Sequence, residues 1–273
     1  MNQTFEIVDA FTERPFAGNP AAVCLLDGPA DDRWMALCAR EMNLAETSFV
    51  EEADGGFKLR WFTPTLEVDL CGHATLAAAH VIWSQGRVGK EMPIRFFTRS
   101  GEVSASRRSD GRIELDFPSF PTAEISAPPG LSAALEVEAS FVGRSRINLL
   151  VEVADEASLR GLSPDIGAIS RLPARGLIVT ARGDNGPYDF VSRFFAPTEG
   201  VPEDPVTGSA HCTLGPYWGE KLGKNELVAY QASARGGTLH LALRGERIGL
   251  AGNAVTVSRG EIISAAELTA RRV

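Results

Sequence analysis

Two predicted helix starts, each led by a glycine, are the parts of the sequence best suited to binding a ligand. Gly72 and Gly208 each open a predicted helix, and small residues there leave backbone N–H groups open to a ligand. The helix dipole favours negative charge at such a terminus. His73 and Ser209 follow the glycines directly, where they add hydrogen-bond donors or, in the alternative, satisfy the local backbone. Two such termini facing each other would form a cradle for a small carboxylate-bearing ligand.

Glu46 is the residue whose type suits proton transfer. It lies in the segment Asn43–Val50, where a predicted helix gives way to an apolar strand. Partial burial at that point would suit a carboxyl group to general acid–base catalysis at neutral pH. A solvated glutamate at the start of a strand is the alternative, and the pattern alone leaves both open.

An internal repeat connects the two helix starts. Arg60–Thr65 recurs as Arg193–Thr198, close to half the chain length downstream, with the pattern Arg-aromatic-Phe-x-Pro-Thr in both copies. A loop with acidic residues follows each copy, and the glycine-led helix follows the loop. Chance recurrence of the motif would not explain the recurring glycine. The sequence therefore predicts one strand, loop and helix unit used twice, with the functional site where the halves face one another.

The elements that position these residues divide into two domains. The chain has 273 residues, alternating apolar residues predict strands in both halves, and the predicted helix Cys71–Ser84 is apolar nearly all round, so it must be buried. A cluster of prolines marks a linker at residues 119–129. We predict an N-terminal domain at 1–118 and a C-terminal domain at 130–261. Residues 262–273, with a final helix near 265–272, could pack back on the first domain.

Composition excludes several functional classes. The chain is 44% hydrophobic and 23% charged, which is typical of a globular protein. A net charge of −8 without a basic stripe makes nucleic acid a poor partner. The four cysteines form no CxxC pair, which fits a reducing compartment, and the longest apolar run is too short to span a membrane. We expect a cytoplasmic protein with no membrane partner.

Several segments together resemble a known family. They occur in the family's order along nearly the whole chain: Asp9–Phe11, Gly18–Pro20, Asn43–Thr47, Cys71–Thr75 and Glu203–Ala210. This set is similar to the PhzF-like isomerases of phenazine biosynthesis. The resemblance implies the α+β fold of diaminopimelate epimerase, in which two similar domains each wrap a curved, barrel-like mixed sheet around a central helix. It also implies a site in the cleft between the domains, a homodimer and no cofactor.

The resemblance carries roles onto individual residues. It implies Glu46 as the acid/base, His73, Asp204 and Ser209 as ligand-binding residues, and Gly72 and Gly208 as backbone donors. The predicted catalytic residues are thus Glu46, His73 and Asp204, and the predicted substrate-binding residues are Gly72, His73, Asp204, Gly208 and Ser209. We expect a cofactor-independent isomerase in which Glu46 removes a proton from one carbon of a small carboxylate-bearing substrate and returns it at another.

This sequence departs from the related epimerases that use two thiols. Cys71 stands where the first thiol would lie, but the second position is Val206, which cannot transfer a proton. We interpret Cys71 as a buried small hydrophobe rather than a base. Cys212, inside the second helix, is expected in the core.

Other functions fit less well. Ser209 and His211 lack the G-x-S-x-G elbow of a serine hydrolase, and residues two apart on a helix point apart. The histidines show no HExxH or paired Cys/His spacing, so no metal ligand is predicted. A non-catalytic small-molecule-binding or protein-interaction scaffold is the main alternative. The substrate stays open, with Asn19, Thr65, Asp69 and Tyr217 as candidate specificity residues, and phenazine synthesis is not implied.

Overall fold

The chain folds into two compact units. The computed structural model describes residues 2–146, 148–184 and 186–263. The first unit takes the chain up to Phe16, then Pro20–Leu115, and the chain from Asn253 onward. The second unit takes Ala17–Asn19 and Asp116–Gly252.

Strands dominate both units. In chain order they are β1 (Gln3–Ala10), β2 (Asn19–Leu26), β3 (Glu46–Ala53), β4 (Gly56–Phe62), β5 (Glu67–Val68), β6 (Ile94–Thr98), β7 (Gly101–Arg107), β8 (Ile113–Pro118), β9 (Ala123–Glu124), β10 (Ala139–Arg144), β11 (Asn148–Val153), β12 (Gly176–Arg182), β13 (Phe190–Ala196), β14 (Val201–Asp204), β15 (Glu226–Gln231), β16 (Gly237–Arg244), β17 (Arg247–Gly252) and β18 (Ala254–Ile262). The helices are α1 (Asp32–Met42), α2 (Gly72–Ser84), α3 (Leu131–Leu135), α4 (Glu156–Arg160), α5 (Ile166–Ile169) and α6 (Gly208–Leu222), with a 3₁₀ turn at Pro197–Glu199.

Helix α2 forms the centre of the first unit. Every residue of α2 except His80 and Ser84 is buried, as its all-round apolar sequence predicts. It packs against β1, β3 and β18. The surrounding sheet is mixed: β1 pairs antiparallel with β18, β2 parallel with β3, and β3 antiparallel with β4. Such a sheet around one buried helix fixes the position of the helix N-terminus.

Helix α6 has the same place in the second unit, packed against β15, β16 and β17. The sheet of this unit is also mixed and includes β10–β13, and α3, α4 and α5 cover its opposite face through an apolar cluster that includes Leu149 and Phe195. Pro216 lies inside α6 and cannot donate to the carbonyl of Cys212. The backbone N–H of Phe120 donates to that carbonyl instead, at 2.9 Å, so the helix continues.

The predicted fold class is confirmed. Two predicted domain boundaries differ from those of the structure. The second domain was expected to run to residue 261, but β18 pairs along its length with β1 and belongs to the first unit. The expected linker at 119–129 contains β9, which pairs with β10 in the second unit. In both cases a strand edge supplies hydrogen-bond partners that composition does not reveal. The helix expected near 265–272 lies outside the described residues.

Among the described residues, none of the helices combines the length and apolar character needed to cross a bilayer.

Candidate active site

Glu46 begins β3 because α1 ends shortly before it. Asn43 caps α1 in the left-handed conformation, with φ 50°, and its N–H donates to Ala39 O at 3.1 Å. Asparagine is among the few residues that adopt this conformation readily. Within β3, the hydroxyl of Ser48 donates to Ala74 O in the first turn of α2, at 3.0 Å. That bond joins the start of β3 to the start of α2.

The carboxylate of Glu46 lies beside the imidazole of His73. Glu46 Oε2 and His73 Nε2 are 3.0 Å apart, and the two side chains are 16% and 5% exposed. The position of Glu46 at a strand start did not decide between a solvated and a partly buried side chain. In the structure it is partly buried against a titratable ring at a helix N-terminus.

Cys71 contacts the other ring nitrogen, with Sγ 3.5 Å from His73 Nδ1. Burial by itself lowers the pKa of His73, but the acidic neighbours Cys71 and Glu46 outweigh it and hold that pKa well above its ordinary value. Burial, with the nearby Glu46 charge, raises the pKa of the Cys71 thiol to about 11. The two acidic groups that flank the ring therefore hold it toward its protonated form.

The two glycine-led helix starts have matching backbones. Cys71 precedes α2 in an extended conformation (φ −143°, ψ 115°), and Thr207 precedes α6 in a similar one (φ −113°, ψ 101°). Neither residue caps its helix with its side chain. Gly72 and Gly208 are buried in the first turns, and Ser209 is half-buried. The duplicated sequence thus produces duplicated local geometry.

Asp204, at the end of β14, is held by residues that the sequence did not single out for this role. Its Oδ1 accepts from Asn19 Nδ2 at 2.9 Å, and its Oδ2 accepts from the hydroxyl of Thr207. The amide of Gln231 donates to Asp204 O at 2.7 Å and accepts from the Thr207 N–H at 2.8 Å. Asn19 also donates to Val206 O at 2.8 Å. Both amides fix the segment that leads into α6.

The repeated motif builds an arginine clamp in each unit. Arg60 binds both carboxylate oxygens of Glu67, at 2.8 Å each, and Arg193 binds both oxygens of Glu203, at 2.7 and 2.9 Å. Each guanidinium also lies 5.1 Å from the ring of the second aromatic residue of its motif. The clamps join β4 to β5 and β13 to β14, the hairpins that precede α2 and α6. This explains why an acidic loop follows each copy of the motif.

The structure places the predicted site residues in two local groups. Glu46, Gly72 and His73 lie together in the first unit, and Asp204, Gly208 and Ser209 follow one another in the second. Asn19 and Gln231 are the supporting residues that sequence reasoning missed in this role. Asn19 stood in a recognised motif, but only the fold shows that its amide faces Asp204.

Three candidate specificity residues have local partners or open surroundings. Thr65 lies in the turn between β4 and β5, where its hydroxyl contacts that of Thr63 at 3.2 Å. The side chain of Asp69 is 74% exposed. Tyr217 donates to Glu152 in the second unit.

His211 is a core residue rather than a partner of Ser209. It is fully buried, its Nδ1 donates to Thr207 O at 2.8 Å, and burial lowers its pKa to about 4. Cys212 is also fully buried, as predicted, and all four cysteines are free thiols.

Comparison with known proteins now decides the family. A family model described as phenazine biosynthesis-like protein (PhzC-PhzF) matches residues 8–260. The chain belongs to the PhzC-PhzF family. It is 51% identical to an uncharacterized isomerase of Halalkalibacterium halodurans, over 96% of this chain and 99% of the relative. Membership in this family makes the protein an isomerase, as the sequence motifs implied.

Solved structures agree with the family assignment. A PhzF-family protein of Enterococcus faecalis superposes with a TM-score of 0.92 at 40% identity, covering 97% of this chain and 100% of its own. A predicted epimerase of Pseudomonas aeruginosa shares the fold at 22% identity, with a TM-score of 0.75 over 96% of this chain and 100% of its own. The diaminopimelate epimerase-like fold is thereby confirmed.

Proposed function

We propose that this PhzF-like isomerase shifts a proton on a small carboxylate-bearing substrate, with Glu46 as the single acid/base and no cofactor. The observation that carries the proposal is the 3.0 Å contact between Glu46 Oε2 and His73 Nε2, at the N-terminus of α2. A partly buried carboxylate beside a cationic ring is suited to take a proton and to give it back.

The proposed reaction uses one carboxyl group twice. Glu46 removes a proton from an activated carbon, so a C–H bond breaks and an O–H bond forms while the electron pair moves into the substrate's conjugated system. The same carboxyl group then returns the proton to a second carbon on the same face. His73, as the imidazolium, and the backbone N–H groups at the start of α2 stabilise negative charge that develops on the substrate carboxylate.

We assign substrate binding in the second unit to Asp204, Gly208 and Ser209. Asp204 would orient an amine or hydroxyl group of the substrate, because its carboxylate is held in place by Asn19 and Thr207. The family resemblance supports these roles. Asp204→Asn tests them, since it keeps the shape of the side chain and removes its charge, and we expect KM to rise more than kcat falls.

Further expectations on oligomeric state, location and partners stay part of the proposal. We expect a homodimer in the cytoplasm, with a small molecule as the ligand and neither nucleic acid nor membrane as a partner. Sedimentation of the purified chain tests the dimer directly, and a single species with the mass of one chain would contradict it.

A proton-exchange screen separates the isomerase from a non-catalytic binding scaffold. Small amino, hydroxy and unsaturated carboxylic acids are incubated with the wild-type protein in deuterated water, and carbon-bound deuterium is followed by NMR. We expect one chemical class of acid to exchange, and Glu46→Gln to abolish that exchange. Acids that raise the melting temperature of the wild type without any exchange would favour the scaffold.

A further inference from the structure

The cluster around His73 combines three different metal-ligand types. Glu46 supplies a carboxylate, Cys71 a thiol and His73 an imidazole. With one ligand atom taken from each residue, the three atoms lie within 4.8 Å of one another. The closest contacts are 3.0 Å between Glu46 Oε2 and His73 Nε2, and 3.5 Å between Cys71 Sγ and His73 Nδ1.

These donors suit a borderline-soft divalent cation. Zn²⁺ binds Cys sulfur, His nitrogen and Glu oxygen at about 2.0–2.3 Å, which places donor atoms about 3.3–3.6 Å apart in a tetrahedron. The two closest contacts lie near this spacing. The two contacts use opposite nitrogens of the His73 ring. A cation would therefore bind only one of these nitrogens, and the ring would rotate toward the cation. The thiol favours Zn²⁺ or Cd²⁺ over Mg²⁺ and Ca²⁺, which prefer oxygen.

The surroundings of the cluster allow a cation to enter from the side of Glu46. Cys71 and His73 are buried, whereas the side chain of Glu46 is 16% exposed and gives access from solvent. Burial and Glu46 disfavour the free thiolate of Cys71, and the N-terminus of α2 offsets part of that cost. Three protein donors leave a fourth position open for water.

We propose that Glu46, Cys71 and His73 form an inhibitory binding site for a divalent cation of the Zn²⁺ and Cd²⁺ class. Binding releases the protons of the Cys71 thiol and the His73 ring to solvent as their bonds to the cation form. A cation held there occupies the carboxylate and the ring that the proton transfer uses, so cation binding and catalysis exclude each other. The inhibition rests on the proposed function, whereas the binding does not. Motif spacing does not reveal this site because its donors come from separate parts of the chain: the start of β3, the loop before α2 and the first turn of α2.

Cadmium provides a direct reading of the sulfur ligand. Titration of the full chain with Cd²⁺ produces an ultraviolet charge-transfer band when a thiolate binds the ion. We expect saturation at one Cd²⁺ per chain, loss of the band in Cys71→Ser, and an unchanged titration in Cys38→Ala. Serine at position 71 keeps the size of the side chain and can cap α2, so this variant is expected to fold. Cys38→Ala removes one buried thiol elsewhere in the first unit and serves as the matched control.

Glu46→Gln and the exchange assay complete the test. We expect Glu46→Gln to keep the band but to weaken Cd²⁺ binding by at least about tenfold. An absent band in the wild type, or a band that persists in Cys71→Ser or disappears in Cys38→Ala, would overturn the site. Zn²⁺ is expected to suppress proton exchange reversibly, with chelator restoring it. Cys71-dependent binding without suppression would overturn the inhibitory role alone, and absence of exchange in the metal-free wild type would count against the proposed function and not against the site.

Discussion

The pKa of His73 is set by opposing effects. Burial opposes a charge on its ring, while Glu46 on one side and Cys71 on the other favour one. The pKa of the ring stays well above its ordinary value because Cys71 and the partly buried carboxylate of Glu46, 3.0 Å away, outweigh the loss of water. Sequence could suggest each side chain separately, and the family resemblance supplied their roles. The contact itself could not be predicted, since Glu46 and His73 are brought together only by the packing of β3 on α2.

The raised pKa of His73 predicts how stability changes with pH. A group whose pKa is higher in the folded chain than in the unfolded one contributes stability that is fully present below about pH 6.5, the unfolded value. That contribution is lost as pH rises through the folded pKa. We therefore expect the difference in unfolding free energy between wild type and His73→Asn to be largest near pH 6 and to shrink toward alkaline pH. Each unit of pKa shift corresponds to about 1.4 kcal/mol.

His80 provides the matched control for this measurement. Burial lowers its pKa, so its effect on stability has the opposite sign and appears only on the acid side of about pH 6.5. Urea unfolding of His73→Asn and His80→Asn across the pH range measures both. Parallel profiles for the two variants would contradict the charged state assigned to His73.

At the scale of elements, the repeated motif explains both helix starts. The pattern Arg-aromatic-Phe-x-Pro-Thr predicted a duplicated strand, loop and helix, and the structure shows the physical reason in the two clamps. Asn19 and Gln231 were missed as supports for Asp204 because an amide carries no periodic signal. Strand β9 was missed because two residues among prolines resemble a linker.

The clamps are predicted to differ in strength because the two arginines differ in burial and in the partners that remain when each is removed. The side chain of Arg193 is 12% exposed and also donates to Leu162 O at 2.6 Å, whereas that of Arg60 is 31% exposed. Removing Arg193 takes away both the bidentate pair and the donor to Leu162 O, whereas Glu67 keeps Arg99 as a partner, at 2.9 Å, when Arg60 is removed. We expect Arg193→Ala to lower the free energy of unfolding by about 2–3 kcal/mol and Arg60→Ala by about 1 kcal/mol. Urea unfolding measures both, and an equal or larger loss for Arg60→Ala would contradict this explanation.

At the scale of the whole molecule, the two units are not two consecutive halves of the chain. The first unit is completed by β18, which follows the entire second unit in sequence. Thr256 on β18 donates to Glu6 Oε2 at 3.0 Å, and Arg259 lies 3.3 Å from the same oxygen. A sequence pattern can locate strands, but it does not state which distant strand completes a sheet. The predicted end of the second domain at residue 261 is therefore wrong, because β18 belongs to the first unit.

A chain that ends at Gly252 is predicted to lose the first unit selectively. Removal of β18 exposes the edge of β1 and strips the buried Glu6 carboxylate of two partners. We expect a loss of several kcal/mol, a large share of the stability of an ordinary domain. Hydrogen exchange read by mass spectrometry should show α2 amides losing protection while α6 amides retain it. Retained protection in α2 would contradict the assignment, and a chain ending at Ile263 keeps β18 as the control.

The comparison of Glu46→Gln with Glu52→Gln decides whether Glu46 is the acid/base of the proposed isomerisation. Both substitutions remove a carboxylate from β3, but Glu46 contacts His73 and Glu52 is exposed on the same strand. The measurement is the rate of deuterium incorporation into an acid that the wild type exchanges. We predict a loss of about 10²–10⁴-fold for Glu46→Gln, the usual contribution of general acid–base catalysis, and an unchanged rate for Glu52→Gln. A Glu46→Gln protein that exchanges the acid as fast as the wild type would contradict the assignment of Glu46 as the acid/base.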